Sequence, residues 1–103
     1  MDDLGRHSEP AMLVLSSLAE GPKHGYAIME DVQLLCGTKL GPGTLYGALS
    51  RLEQRGLIAP LEADGRRRPY RITPAGEGAL RIWLAALGQV VEVGLRRLQA
   101  ASA

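Results

Sequence analysis

The sequence predicts a mostly α protein with a winged helix-turn-helix fold. We expect three helices and a two-stranded β wing, followed by a long C-terminal dimerisation helix. Apolar residues recur at helical spacing up to about residue 55 and again from residue 74. Two short strand-like runs around a turn lie between those regions. Aromatic residues make up only 4% and phenylalanine is absent, so the core must be aliphatic, which suits helices better than a β-sandwich.

Length and composition predict one small cytoplasmic domain. The 103 residues allow a modest core, and we divide them into a flexible arm (1–8), a winged-helix unit (9–73) and a dimerisation helix with its tail (74–103). The acidic start lacks a signal-peptide pattern. The single Cys36 excludes an internal disulfide. No uninterrupted apolar run approaches the ~20 residues that span a bilayer, so we expect no membrane partner.

Two helices are predicted before residue 38. The first begins near Ser8 or Glu9, ends before Gly21 and is apolar around most of its surface, which predicts a central position in the core. The second begins near Lys23 or His24. Its predicted buried side consists of Tyr26, Ile28, Met29, Val32 and Leu35.

A third helix of about 13–15 residues begins at Pro42, whose missing N–H suits the first helical position, and stops before Gly56. One face is apolar, and the other is polar and cationic. This pattern alone favours an ordinary surface helix. Its place after a short glycine-containing connection favours a helix-turn-helix, in which it would enter the major groove of DNA. The apolar face consists of Leu45, Ala48, Leu49 and Leu52.

The next segment predicts a basic β-hairpin. Residues 57–61 and 69–73 are the strands, and Ala63-Asp64-Gly65 is the turn. Arg66, Arg67 and Arg68 follow that turn directly. Residues 38–73 carry seven basic and three acidic side chains, whereas residues 1–37 carry two basic and six acidic ones. This asymmetry indicates a local anionic partner although the net charge is only +1.

The last predicted helix starts with Thr73 as its N-cap and Pro74 in its first turn, and it extends to about Leu98. A 70-residue core cannot cover its apolar stripe, so we expect a second copy of the chain to cover it. The predicted dimer interface consists of Leu80, Trp83, Leu84, Leu87, Val91, Leu95 and Leu98.

Three motifs resemble the PadR family of bacterial transcriptional regulators over about residues 10–78. They are Gly25-Tyr26-Ala27-Ile28, Gly43-Thr44-Leu45-Tyr46 and the block from Pro69 to Gly76. The resemblance implies a winged-helix DNA-binding domain, homodimerisation through the C-terminal helix and, usually, repression. Gly41 and Gly47 depart from the family pattern, which often has serine and proline at these positions.

These observations predict a set of DNA contacts. For Tyr46, which the resemblance implies is a contact, the alternative is packing against the second helix. For His24 the alternative is a capping or surface role. Trp83 either anchors the dimer core or, as in a related multidrug-responsive regulator, stacks on a small-molecule effector. The predicted DNA-binding residues are Lys23, His24, Lys39, Thr44, Tyr46, Ser50, Arg51, Arg66, Arg67 and Arg68.

The sequence therefore predicts a homodimeric, sequence-specific regulator of transcription. We expect a repressor that binds an inverted repeat in double-stranded DNA, with release by a small-molecule effector as an open option. No phosphate-binding loop, metal-ligand spacing or catalytic constellation is present, so we expect no cofactor, no metal and no enzymatic activity. Two alternatives remain: a winged helix that binds protein but not DNA, and a ligand-sequestering module.

Overall fold

The computed structural model describes residues 9–102, which form four helices and a three-stranded antiparallel sheet. The predicted winged helix followed by a long C-terminal helix is confirmed. The arm predicted for residues 1–8 lies outside the described residues, and the division of the chain at residue 73 stays a prediction. The elements are α1 (Glu9–Leu18), β1 (Lys23–His24), α2 (Gly25–Cys36), α3 (Pro42–Gln54), β2 (Ile58–Pro60), β3 (Pro69–Ile72) and α4 (Pro74–Ser102).

Helix α1 is the centre of the core, as its sequence predicts. It packs against α2, α3, α4 and β3, and Val14, Leu15 and Leu18 are completely or almost completely buried. A helix buried on several sides needs apolar residues around most of its circumference. The other buried apolar side chains of the core are Ala11, Ile28, Val32, Leu40, Leu45, Ala48, Leu49, Leu52, Ile58 and Leu80.

Helix α2 begins later and buries less than predicted. Its first residue is Gly25, because Lys23 and His24 form β1 instead. Tyr26 is 62% exposed and Leu35 is 57% exposed, so both were placed wrongly in the core. At 100° per residue, Tyr26 lies almost opposite the buried Ile28. Leu35 lies on the same face as Ile28 but follows Val32, the last buried residue of α2.

Helix α3 has the predicted bounds and the predicted buried face. Pro42 occupies the first turn, and the N-cap Gly41 has no side chain to cap the helix. The helix ends at Gln54, and Gly56 follows with φ +73°. That left-handed conformation is the one glycine adopts without a steric penalty. The four predicted apolar residues are buried, so the polar face of α3 is directed outward.

The wing is a tight hairpin with an unpredicted third strand. Asp64 and Arg67 are joined by two backbone hydrogen bonds of 2.7 and 3.1 Å. Gly65, with φ +65°, occupies the first central position of this two-residue turn, where a type II′ turn requires glycine. Strand β1 pairs with β3 on the side opposite β2. Two residues are too few to show an alternating pattern, so the sequence does not predict β1.

A compact junction connects the wing to α4. The Thr73 hydroxyl accepts a hydrogen bond from the Gly76 N–H (3.1 Å) and donates one to the Gly56 carbonyl (2.7 Å). The predicted N-cap is thereby confirmed. Gly76 is buried so close to the wing that a Cβ atom there would lie 2.0 Å from the carbonyl oxygen of Leu57 and 2.8 Å from Ile72 Cγ1.

Helix α4 has 29 residues, which span about 43 Å. Leu80 is only 6% exposed because it packs in the core of its own chain, which leaves little of its side chain for the predicted dimer interface. Trp83 is half-buried against the same core. The rest of the predicted stripe is exposed: Leu84, Leu87, Val91, Leu95 and Leu98.

Helix α4 is apolar on average although most of it is exposed. Within residues 9–102 it is the one helix that is long and apolar enough to cross a membrane by length and composition, with a mean hydropathy of 1.3 over an 18-residue window. Charged residues interrupt its apolar run, so the expectation that no uninterrupted apolar run approaches the ~20 residues of a bilayer span still holds.

The contact between Gly76 and Leu57 makes a stability prediction. We expect Gly76→Ala to lower the free energy of unfolding by about 2 kcal/mol or more, because the new methyl group meets backbone atoms that cannot move aside. Gly78→Ala is the matched control. A Cβ atom at Gly78 meets nothing within 4 Å. Alanine is more stable than glycine in a helix by about 0.5–1 kcal/mol, so this variant should raise the free energy of unfolding.

Urea denaturation at a fixed protein concentration measures the free energy of unfolding and the midpoint of each variant. Equal shifts in the two midpoints would contradict the close packing of α4 on the wing.

Candidate nucleic-acid interface

A shallow groove lies where the start of α2, helix α3 and the wing meet. It has a volume of about 240 Å³. Three segments that are far apart in the sequence contribute to it, and basic and aromatic side chains dominate its surface. Its lining residues are His24, Gly25, Tyr26, Tyr46, Arg66, Arg67, Arg68 and Tyr70. The fold therefore brings Tyr46 of α3 together with all three predicted wing arginines.

Tyr46 is both packed and accessible. A Cβ atom at Gly25 would lie 2.8 Å from the Tyr46 hydroxyl oxygen and 3.2 Å from Cζ, so the end of the phenol rests on the backbone at the start of α2. The side chain is nevertheless 54% exposed. The two interpretations of Tyr46 are thus compatible, because its contact with α2 holds the ring while one side stays open to a ligand.

The outward face of α3 presents three more predicted contacts. Thr44, Ser50 and Arg51 are all exposed. Arg51 Nη1 lies 3.4 Å from the position that a Cβ atom of Gly47 would occupy, so the guanidinium folds back by about one helical turn. The Arg51 side chain therefore lies against the helix at Gly47.

The wing arginines are exposed but not equivalent. Arg68 Nη1 donates a hydrogen bond of 3.1 Å to the Leu61 carbonyl, which ties this side chain back to the hairpin. Arg66 lies in the two-residue turn and Arg67 closes it. Within residues 9–102, no carboxylate forms an ion pair with any of the three. The positive charge of the hairpin tip is therefore available to an external anion.

Tyr70 forms part of the groove from the central strand of the sheet. Burial raises the pKa of its hydroxyl above the ordinary value, the charge of Glu53 raises it further, and Arg68 opposes both effects. The phenol therefore stays protonated near neutral pH, where it can donate a hydrogen bond. Tyr46 also contributes to the raised pKa of Tyr70, consistent with two phenols in the same groove.

Lys23 is not placed as the sequence predicted. Its side chain is only 14% exposed, and its ammonium group lies 2.8 Å from a carboxylate oxygen of Glu20 and 3.8 Å from one of Asp31. It also donates a hydrogen bond to the backbone carbonyl of Ser17. The ammonium charge is balanced within the protein, which leaves it less available to a phosphate than the sequence predicted.

His24 and Lys39 have different surroundings. His24 lines the groove, but its Nδ1 accepts a hydrogen bond of 3.4 Å from the Ala27 N–H and caps α2. The capping role that the sequence left open is thus present. Lys39 is exposed in the loop between α2 and α3 and does not line the groove.

Two aromatic residues of the groove were not predicted as site residues. Tyr26 was assigned to the core, and Tyr70 was considered only as part of a strand. A tyrosine in either place is usually a packing residue, so its type alone does not indicate a site. The signal for Tyr70 is its position next to the arginine cluster, since an aromatic residue beside basic residues is typical of nucleic-acid interfaces.

Comparison with known protein sequences gives consistent matches. The model of the transcriptional regulator PadR-like family matches residues 14–82. An uncharacterized 37.1 kDa protein in transposon TN4556 of Streptomyces fradiae is 53% identical over 75 residues, which are 73% of this chain and 22% of that protein. Transcriptional regulator Rv3488 of Mycobacterium tuberculosis is 41% identical over 70 residues, covering 65% of this chain and 64% of that protein.

A more distant relative is the transcriptional activator GvpE of Haloferax mediterranei, 32% identical over 73 residues, which are 71% of this chain and 37% of that protein. The chain thus matches between 22% and 64% of the length of these three relatives. Among solved structures, a PadR family transcription regulator from Clostridium difficile superimposes with a TM-score of 0.80 at 26% identity, covering 88% of this chain and 99% of that one.

The matched residues 14–82 include every element that builds the groove. The expectation that the protein is not an enzyme is confirmed by this match, since the family consists of transcriptional regulators. The chain belongs to the PadR-like family of transcriptional regulators.

Proposed function

We propose that this regulator binds an inverted-repeat operator as a homodimer and represses transcription in the cytoplasm. The observation that carries the proposal is the groove in which Tyr46 of α3 meets the arginine-tipped wing. Positive charge, aromatic surface and a helix of the right diameter for the major groove come together there.

Helix α3 is the proposed reader of base edges. Its outward face offers the hydroxyls of Thr44, Tyr46 and Ser50 as donors and acceptors, and Arg51 has the donor geometry that pairs with two acceptors of guanine. Tyr46 is already held against Gly25. Contact with DNA therefore restricts the Tyr46 side chain little further, and the small entropic cost favours affinity.

The wing is the proposed contact to the DNA backbone. Arg66 and Arg67, at the tip of the hairpin, would lie along phosphates or enter the minor groove, where an arginine senses groove width. Arg68, tied to Leu61, supports the hairpin and adds positive charge. Lys39 is a further proposed phosphate contact, and His24 borders the same groove.

The homodimer is proposed from the continuity of one face of α4. Gly76, Leu80 and Trp83 face the chain's own core, and at 100° per residue the exposed stripe from Leu84 to Leu98 continues the same side of the helix. A second copy of α4 would bury that stripe. The dimer would then place two α3 helices about 34–36 Å apart, the spacing of successive major grooves.

The charged residues of α4 favour a partner helix in water over a lipid bilayer. Beside the exposed stripe the helix carries an ion pair between Arg81 and Glu77 at 3.7 Å, and further round it carries one between Arg96 and Glu92 at 2.9 Å. A helix that spans a bilayer is apolar around its whole circumference, whereas a helix at a protein interface is apolar along one stripe.

The sign of regulation and the effector belong to the proposal. Repression follows from the usual behaviour of the family, and activation is the second candidate because a relative is named as an activator. Trp83 borders the proposed interface and packs against the core. An effector that stacks there would change both Trp83 fluorescence and DNA affinity. In vitro transcription from the promoter of the protein's own gene distinguishes repression from activation.

The wing makes a prediction about salt dependence. We expect Arg67→Ala to weaken binding to all DNA sequences similarly and to reduce the slope of log affinity against log salt concentration by about 1, because one fewer counterion is released. Fluorescence anisotropy with a duplex from upstream of the gene and a scrambled duplex measures both effects. Arg96→Ala removes a cation near the C-terminal end of α4, away from the wing. It is the control and should leave the slope unchanged.

An unchanged slope in the Arg67 variant would remove the wing tip from the interface. Absence of any salt-dependent DNA binding by the wild-type protein would favour the protein-interaction alternative.

Helix α3 makes a prediction about specificity. We expect Tyr46→Ala to reduce affinity for the upstream duplex by about 1–3 kcal/mol, and to change affinity for the scrambled duplex much less. Tyr46→Phe keeps the ring on Gly25 and isolates the contribution of the hydroxyl group. Equal losses on both duplexes would show that Tyr46 contributes to general binding and not to sequence reading.

The stripe on α4 makes a prediction about assembly. We expect Val91→Asp to convert the dimer to a monomer, because burying an unpaired carboxylate in an apolar interface is strongly unfavourable. Ile82→Asp is the matched control, since Ile82 is exposed and lies on the far side of the helix. Analytical ultracentrifugation measures the mass, and circular dichroism checks that each variant is folded. A Val91 variant that stays dimeric would contradict the proposed interface.

A further inference from the structure

Lys23 is largely buried, with 14% of its side chain exposed, where three segments meet. Its ammonium group donates to the Ser17 carbonyl near the end of α1, pairs with Glu20 in the following turn, and reaches Asp31 on α2. A charged amine with this little exposure is stable only when it is paired. The three oxygen partners provide that pairing, and they connect α1 to α2.

The backbone of the same residue belongs to the wing sheet. Lys23 is paired with Tyr70 of β3, and the next residue, His24, is paired with Pro69. His24 also caps α2 and lines the groove. Lys23 therefore holds, through its side chain, the short strand that attaches the wing to the two helices behind it.

We propose that Lys23 is a positioning residue for DNA binding. Its ammonium group anchors β1 to α1 and α2, β1 holds β3, and β3 sets the direction of the arginine-tipped hairpin. This inference rests on the wing–DNA contact proposed above. It replaces the phosphate contact that the sequence suggested for Lys23, and it assigns a function to an ion-pair cluster that lies outside the groove.

A double-mutant cycle distinguishes positioning from direct contact. Lys23→Met removes the charge and keeps an apolar stem. It is measured in the wild-type background and in a wing variant that carries Arg66→Ala and Arg67→Ala. The readout is the affinity for the upstream duplex at fixed salt, at a temperature at which circular dichroism shows all variants to be folded.

We expect Lys23→Met to weaken binding about tenfold with the intact wing and less than about twofold in the wing variant, because a misplaced wing matters only when its arginines contact DNA. Lys23→Arg, which keeps the charge, should restore most of the affinity. Lys39→Met is the matched control. As a proposed direct phosphate contact, it should cost the same in both backgrounds.

Equal losses for Lys23→Met in both backgrounds would overturn the proposal in favour of a direct contact. Unchanged affinity in both backgrounds would overturn it as well. A wing variant that binds like the wild type would instead show that the wing contact itself is wrong. Amide hydrogen exchange then decides whether Lys23 holds the wing: faster exchange in β1 and β3 of the Lys23→Met protein supports it, and unchanged exchange overturns it.

Discussion

The pairing of β3 on both of its edges is the interaction on which the rest of the structure depends. On one edge β2 closes the hairpin that carries the arginines, and on the other edge β1 connects the sheet to the start of α2. Tyr70, in the middle of this ladder, forms part of the groove. Pro69 is tolerated because it begins the strand, where a missing N–H costs least. Without the two residues of β1, the hairpin would lose its backbone hydrogen bonds to the segment that begins α2.

The sequence predicts what depends on periodicity and on local chemistry. The buried faces of α1 and α3, the turn at Gly65 and the Thr73 cap each follow from a few neighbouring residues. It does not predict where along a helix the core ends. For that reason Leu35 was assigned to the core and Leu80 to the dimer interface, whereas Leu35 is exposed and Leu80 is buried. It also does not show distances between charges. Lys23 is therefore indistinguishable from a surface lysine until Glu20 and Asp31 are placed beside it.

The groove reconciles DNA binding with a net charge of only +1. Much of the acidic charge lies in residues 1–37, where Glu20 and Asp31 are paired with Lys23. The arginines at the hairpin tip have no such partners within residues 9–102. A small number of cations concentrated on one face attracts DNA locally while the protein as a whole stays nearly neutral. Such a charge distribution limits non-specific affinity, so in the proposed complex the contacts of α3 would supply a large share of the binding to the operator.

The junction between the wing and α4 would connect the proposed dimer interface to the proposed DNA-binding surface. Thr73 donates its N–H to Leu57 and its hydroxyl to Gly56, and it caps α4 at Gly76. Gly76 in turn lies against Leu57 with no space for a methyl group. The wing and the first turn of α4 are therefore joined by short hydrogen bonds and close packing, with no flexible linker between them. If two copies of α4 form the dimer, the angle at which they cross sets the distance between the two α3 helices. A ligand that changes that angle would change the distance between the two α3 helices through this junction, without contacting the groove.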